Sequence, residues 1–105
     1  MIFESLNDAA TRGELLLVDG GLCHFHRRRN GQVTIREIIV QVGSRHKGIG
    51  WQLVRDASQG ASRVVAKCPD DLPSNGFWQR IGFVLESVET TKTGRIINVW
   101  VRECA

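Results

Sequence analysis

The chain has 105 residues, 42% of them hydrophobic and 24% charged. That is enough for one domain with one modest core, and it is not the composition of a disordered tail. The formal net charge of +3 favours an anionic ligand or partner without specifying one. No apolar run approaches the length of a membrane span, and Met1-Ile2-Phe3-Glu4-Ser5 lacks the basic-then-apolar layout of a secretory signal. Three cysteines, Cys23, Cys68 and Cys104, are an odd count without metal-ligand spacing. They are expected to stay reduced in a cytoplasm.

In chain order, residues 3 to 13 read as a short helix with Ala9 and Ala10 inside and Gly13 near its end. Glu14 to Val18 is an apolar strand stopped by Asp19-Gly20-Gly21. Leu22 to Arg28 alternates, and Asn30-Gly31 is a strong hairpin signal. Gln32 to Gln41 is the next strand, and its near-continuous apolar content after Arg36-Glu37 suggests burial on both faces.

Arg45-His46-Lys47-Gly48-Ile49-Gly50 follows and opens an amphipathic helix that puts Ile49, Leu53, Val54 and Ala57 on one side. Gly60 is its expected stop. Arg63 to Cys68 is a short strand ended by Pro69. Asp71 or Ser74 is expected to cap a second helix that tolerates Pro73 in its first turn and ends at Gly82. Phe83 to Thr91 and Arg95 to Arg102 form a hairpin around Lys92-Thr93-Gly94. The expected order over the single domain 1–105 is α-β-β-β-α-β-α-β-β.

The segment from strand through glycine turn to helix reads as a phosphate cradle. The first turn of a helix has backbone N–H groups without intrahelical partners, and their partial positive charge attracts phosphate. Glycine at 48 and 50 removes the Cβ atoms that would hold a phosphate off, while Arg45 and Lys47 add mobile cations. A Walker A loop is set aside: Gly43 and Gly48 have its separation, but Ile49-Gly50 stand where Lys and Ser/Thr belong. A dinucleotide fingerprint fails because Leu53 occupies its third glycine.

From Ile38-Ile39-Val40 through Arg45-x-x-Gly48-x-Gly50 to Leu53, the chain resembles the coenzyme A loop of the GNAT acyltransferases. Phe77-Trp78-Gln79-Arg80-Ile81-Gly82-Phe83 looks like that family's later F-Y-x-x-x-G-F segment, and one helix and one strand fit between the blocks. The resemblance covers about residue 14 to the C-terminus. It implies an α/β (α+β) fold with a mixed, mostly antiparallel central sheet and helices on both faces. It also implies acyl transfer, most simply of acetyl from acetyl-coenzyme A to an amine on a small molecule or protein, with no metal.

Backbone groups of Ile38, Ile39 and Val40 would then pair with pantetheine, and His46, Lys47, Gly48, Ile49, Gly50 and Trp51 would hold the diphosphate. Arg45 or Lys47 could serve the phosphates, and Asn75 could reach the pantetheine or simply bond its own helical turn. Glu37 is the first candidate for the base, against a structural pairing with Arg36. A backbone N–H near Val40 would stabilise the developing oxyanion. Trp78 stands where the family has its tyrosine, and the chain has no tyrosine at all. An indole can donate a hydrogen bond but cannot give up its proton, so Cys68, Ser74 or water would have to serve the departing thiolate. That departure keeps open a module that binds coenzyme A without turnover.

Three further features have two readings each. His24 and His26 share a strand face as a metal pair would, with no third ligand evident, or are a solvated or acceptor-facing pair. Arg27-Arg28-Arg29 is a solvated hairpin tip, or a phosphate contact for a nucleic-acid-directed acyltransferase of phage type. Trp51 and Trp100 are core or dimer-interface aromatics. The family's front strand and helical pair are reduced here to about a dozen residues. This implies an open acceptor site and an uncovered sheet edge that favours a homodimer.

Overall fold

The computed structural model describes residues 2–104. The elements run α1 (Ile2–Thr11), β1 (Leu15–Val18), β2 (Gly21–Arg27), β3 (Gln32–Val40), α2 (Ile49–Ala57), β4 (Arg63–Pro69), α3 (Ser74–Arg80), β5 (Val84–Thr90) and β6 (Ile96–Glu103). A short 3-10 turn, Val42–Ser44, precedes the glycine loop and was not expected. The six strands form one sheet in the order β1-β2-β3-β4-β6-β5. Only β3 and β4 run parallel; the other four pairings are antiparallel.

Glycines stop two of the helices by the same device. Gly13 has φ +72°; its N–H bonds Ala10 O, and the N–H of Glu14 reaches back to Ala9 O at 2.7 Å. Gly82 has φ +96°; its N–H bonds Gln79 O, and Phe83 N–H bonds Trp78 O at 3.0 Å. Both are Schellman stops, which need a left-handed residue that only glycine supplies without cost. The second stop gives the G-F pair a structural reason: it turns the chain so that Phe83, 3% exposed, packs edge-on against Trp78 at 5.0 Å between centroids. Neither Asp71 nor Ser74 caps α3. Pro73 takes the N-cap position without a side-chain bond, and Asp71 instead pairs with Arg95.

Leu53, Val54 and Ala57 of α2 and Trp78 of α3 pack into one cluster with Cys23, Phe25, Val33, Ile35, Ala66 and Trp100. These two helices therefore cover the same face of the sheet. α1 packs against β1 and β2, and its fully buried Ala9 lies outside that cluster, on the other face. β3 is less buried than its composition suggests: Ile39 is 43% exposed because the far half of the strand has no neighbour on its β4 side. Among the described residues no helix is long and apolar enough to cross a membrane.

Candidate functional site

β3 and β4 pair only from Gln32↔Arg63 to Ile35↔Ala66. Arg36 is the extra residue of a bulge against β2, and a bulge bends its strand. β4 meanwhile stays with β6 as far as Pro69. The two strands therefore splay apart beyond Ile35 and Ala66.

The direction of the main chain in the gap follows from one bond. Gln41 N–H donates to Gly20 O at 2.8 Å on the β2 side. Antiparallel pairing alternates, so Ile39 also points to β2, while the main-chain groups of Ile38 and Val40 face the open gap. Arg45 Nε already donates to Val40 O at 3.3 Å.

A cleft of about 860 Å³ occupies the splay. Its first wall is Ile38 to Val40 and its end is the turn into α2. Gly48 is the N-cap of α2 in the left-handed region, with no side-chain cap. The N–H groups of Ile49, Gly50 and Trp51 consequently have no protein acceptor among the described residues. A Cβ on Gly48 would meet nothing within 4 Å, so the surrounding space is open. His46 also has a positive φ, 65°, as a tight turn at this point requires. Arg45, His46 and Arg80 bring cationic or titratable groups to the cleft.

Of the expected cofactor residues, Ile38 to Val40, Arg45, His46 and Gly48 to Trp51 line this cleft. Lys47 is exposed beside it but is not part of its lining. Trp51 is 41% exposed, with the Arg55 guanidinium stacked over its ring at 4.7 Å. Two expected residues face elsewhere. Trp78 is 4% exposed, inside the core. The Asn75 amide donates to Pro69 O and Leu72 O, both at 2.8 Å, and its oxygen accepts from Asn98 Nδ2 and Trp100 Nε1. Those four bonds use its full capacity. Trp100 is thereby a core residue, 7% exposed.

The second wall is Leu72, Ser74, Phe77 and Arg80; the sequence reading nominated Ser74 for the departing thiolate but missed Leu72, Phe77 and Arg80 as lining residues. Ser74, Phe77 and Arg80 recur every third residue along one side of α3. That spacing is legible in the sequence, but only the fold shows that this side, and not the buried side with Trp78, faces the cleft.

Glu37 lies on the opposite face of the sheet, half-buried, with His24 as its register partner on β2. Among the described residues it makes no ion pair, with Arg36 or otherwise. His24 is 7% exposed. His26 Nδ1 stands 2.8 Å from Glu14 Oε2, and no group of three or more metal-binding side chains exists among the described residues. Glu14 is 8% exposed and also accepts from Arg12 Nε and the Arg27 N–H, both at 2.9 Å. Burial pushes its pKa up, but these donors and His26 outweigh that and hold it at about 2. Arg27 is committed too: its guanidinium donates to Gln59 O at 2.8 Å and Ala57 O at 3.2 Å, closing the C-terminus of α2. Arg28 and Arg29 are exposed and make no side-chain bond among the described residues.

No family model and no curated protein matches the chain. Solved structures do. Nourseothricin acetyltransferase superposes with a TM-score of 0.72 at 20% identity, over 82% of this chain and 58% of that one. A GNAT-family protein from Desulfovibrio desulfuricans, assigned as an acetyltransferase, gives 0.71 at 21%, over 82% and 62%. The Bacillus subtilis acetyltransferase in complex with CoA gives 0.74 at 20%, over 97% and 84%. The chain spans about three fifths of the length of the first two. At these identities the likeness establishes a shared fold.

Proposed function

We propose that this chain, which has the fold of the GNAT acetyltransferases, is an acyl-coenzyme A-dependent N-acyltransferase, most simply one moving acetyl to an amine. The observation that carries this reading is the splay between β3 and β4, with bare amides at its mouth and, along its wall, main-chain groups of Ile38 and Val40 that no strand pairs, Val40 O accepting, among the described residues, only from the Arg45 side chain. Coenzyme A is long, amide-rich in its middle and anionic at one end. The pantetheine amides match the edge groups of Ile38 and Val40, and the diphosphate matches the N–H groups of Ile49 to Trp51. Likeness to a structure holding CoA over 97% of this chain supports the same placement.

The chemistry is direct attack. A lysine-type amine is neutral in only about one molecule in a few thousand at pH 7, so a base is needed. Glu37, without an ion-pair partner among the described residues and half-buried beside the bulge, takes that proton itself or through water. The Val40 N–H, directed into the gap, is the donor for the carbonyl oxygen as it gains charge. The acceptor approaches from the sheet face carrying Glu37, His24 and His26. Exposed apolar residues on both edge strands, Leu17 on β1 and Val84 and Val88 on β5, support self-association as a homodimer, which native mass spectrometry reads directly.

Calorimetric titration with acetyl-coenzyme A is the first test, followed by thiol release with a panel of amines. Folded protein that binds no acetyl-coenzyme A ends the proposal. Gly48→Glu should abolish binding, because its carboxylate would occupy the diphosphate space. A second reading is favoured by the burial of Trp78 and the absence of tyrosine: a module that holds coenzyme A without turnover. Turnover that falls with Glu37→Gln decides for the enzyme.

A further inference from the structure

We infer that Ser74 is the hydroxyl that stabilises the departing coenzyme A thiolate, with Cys68 as its positioning residue. The inference rests on the acyltransferase reading and assigns the one chemical role which that reading leaves vacant. Trp78, at the position of the family's tyrosine, is packed against Phe77 and Phe83 in the core. Two side-chain hydroxyls line the cleft, those of Ser44 and Ser74. Ser44 closes the 3-10 turn ahead of the glycine loop, at the diphosphate end. Ser74 stands on the opposite wall, as the first residue of α3.

Depth in the cleft selects Ser74. The last paired residues of the two strands are Ile35 and Ala66, which mark the vertex of the splay. A carrier whose diphosphate sits at α2 and whose amides follow Val40 and Ile38 directs its sulfur toward that vertex. Cys68 lies two residues beyond Ala66 on β4, 4% exposed, and its Sγ is 3.1 Å from Ser74 Oγ. The serine hydroxyl is therefore fixed to the inner part of the wall, while Ser74 itself is exposed to the cleft. The Cys68 thiol has two acceptors in reach, Pro69 O at 3.5 Å and Ser74 Oγ at 3.1 Å; when it donates to Ser74 Oγ, the serine proton is free to point at the sulfur.

The step balances without proton transfer from serine. The ammonium first gives one proton to Glu37 or water; the neutral amine nitrogen then forms its bond to the carbonyl carbon and gives its second proton to water. The carbon–sulfur bond breaks, and sulfur keeps the electron pair. Ser74 donates a hydrogen bond to that thiolate and retains its proton; the thiolate takes a proton from solvent. A hydrogen bond to a charged group is the stronger kind, so it favours the transition state, where charge builds on sulfur, over the neutral thioester.

The test reads the thiol directly. Free coenzyme A is bound to the wild type, Ser74→Ala and Ser74→Thr, and the thiolate is titrated by its ultraviolet absorbance. A parallel titration with desulfo-coenzyme A subtracts the protein's own cysteines. The wild type should hold the bound thiol's pKa below that of free coenzyme A. Ser74→Ala should return it toward the free value, with affinity for the protonated thiol unchanged and affinity for the thiolate weakened by the matching factor, and Ser74→Thr should keep the wild-type value. Turnover by Ser74→Ala should drop by about ten- to a hundredfold in kcat. Cys68→Ala should give a smaller change of the same sign, restored in Cys68→Ser. Normal binding with identical thiol titration in wild type and Ser74→Ala overturns the assignment and leaves the acyltransferase reading standing. Failure of the wild type to bind coenzyme A removes both.

Discussion

A Cβ placed on Gly50 would stand 3.1 Å from Cε1 and 3.2 Å from Cζ of Phe77. The two sequence blocks that resemble an acyltransferase thus meet at van der Waals contact, the first turn of α2 against the middle of α3. Gly50 has an ordinary negative φ, so its requirement is space. Gly48 has φ +79° and open surroundings, so its requirement is backbone conformation.

Gly50→Ala separates folding from binding. Alanine is the better helix former by up to about 1 kcal/mol, whereas the crowded ring must give way by a few tenths of an ångström. Phe77 is only half-buried, and its free side faces the cleft. The ring therefore moves into the ligand's space. Thermal stability should stay within about 1 kcal/mol of wild type, while acetyl-coenzyme A affinity weakens by roughly fivefold, the cost of mild overpacking. Unchanged affinity would mean that the ring yields away from the cleft.

Glu14 ties stability to pH. Its folded pKa of about 2 lies below the ordinary 4.5, so the native state binds fewer protons than the unfolded chain at acid pH. The stabilisation is complete above the unfolded value and is lost as pH falls from about 4.5 toward 2. The gap corresponds to about 3 kcal/mol at most. Glu14→Gln should lower the melting temperature at pH 7, and the curves of variant and wild type should converge below about pH 3. Parallel curves at all pH values would show that another carboxylate governs the acid limb.

The order of helices and strands was legible because each element carries its own local signal. Asn30-Gly31 and Gly82-Phe83 mark turns by conformation, and Leu53, Val54 and Ala57 mark a buried helix face by period. The glycine cradle was legible for the same reason. What failed was anything set by which side of an element faces the gap. Trp78 and Ser74 are one helical turn apart, yet Trp78 packs into the core while Ser74 reaches the cleft. Asn75 suits a ligand contact by residue type, but β6 brings Asn98 and Trp100 to it from 23 and 25 residues away. Arg27 belongs by composition to a basic run, but the end of α2 arrives beside it only in the folded chain.

That last relationship changes how nucleic-acid binding must be tested. Triple alanine replacement of Arg27, Arg28 and Arg29 would also remove the two bonds from Arg27 to Ala57 O, at the end of α2, and to Gln59 O just beyond it. Arg27→Ala alone should cost about 1 kcal/mol of stability, since cations at a helix C-terminus are worth that much when partly exposed. Replacing only Arg28 and Arg29 should leave stability unchanged. If the hairpin tip contacts phosphate, that double variant will reduce the salt dependence of duplex binding by up to about two ion contacts. Equal salt slopes for the double variant and wild type remove the nucleic-acid reading.

Asn75 is expected to be a stability residue whose loss reaches the cofactor only indirectly. Its amide joins the Pro69–Leu72 turn to β6 through four bonds of 2.8 to 3.0 Å. Asn75→Ala leaves the buried Trp100 indole N–H without an acceptor. At about 1 kcal/mol per lost bond, with the orphaned indole at the upper end, the variant should lose about 2–4 kcal/mol. Asn75→Asp keeps the acceptor for Trp100 and Asn98 but sets a carboxylate against the carbonyls of Pro69 and Leu72, so it should be destabilised as well. Urea unfolding gives the stability change, and calorimetry well below the melting temperature gives acetyl-coenzyme A affinity for the population that remains folded. That affinity should lie within about threefold of wild type, because the cleft wall is built from Ser74, Phe77 and Arg80 on the other side of the same helix. A selective loss of affinity at undiminished stability would instead put the Asn75 side chain on the pantetheine.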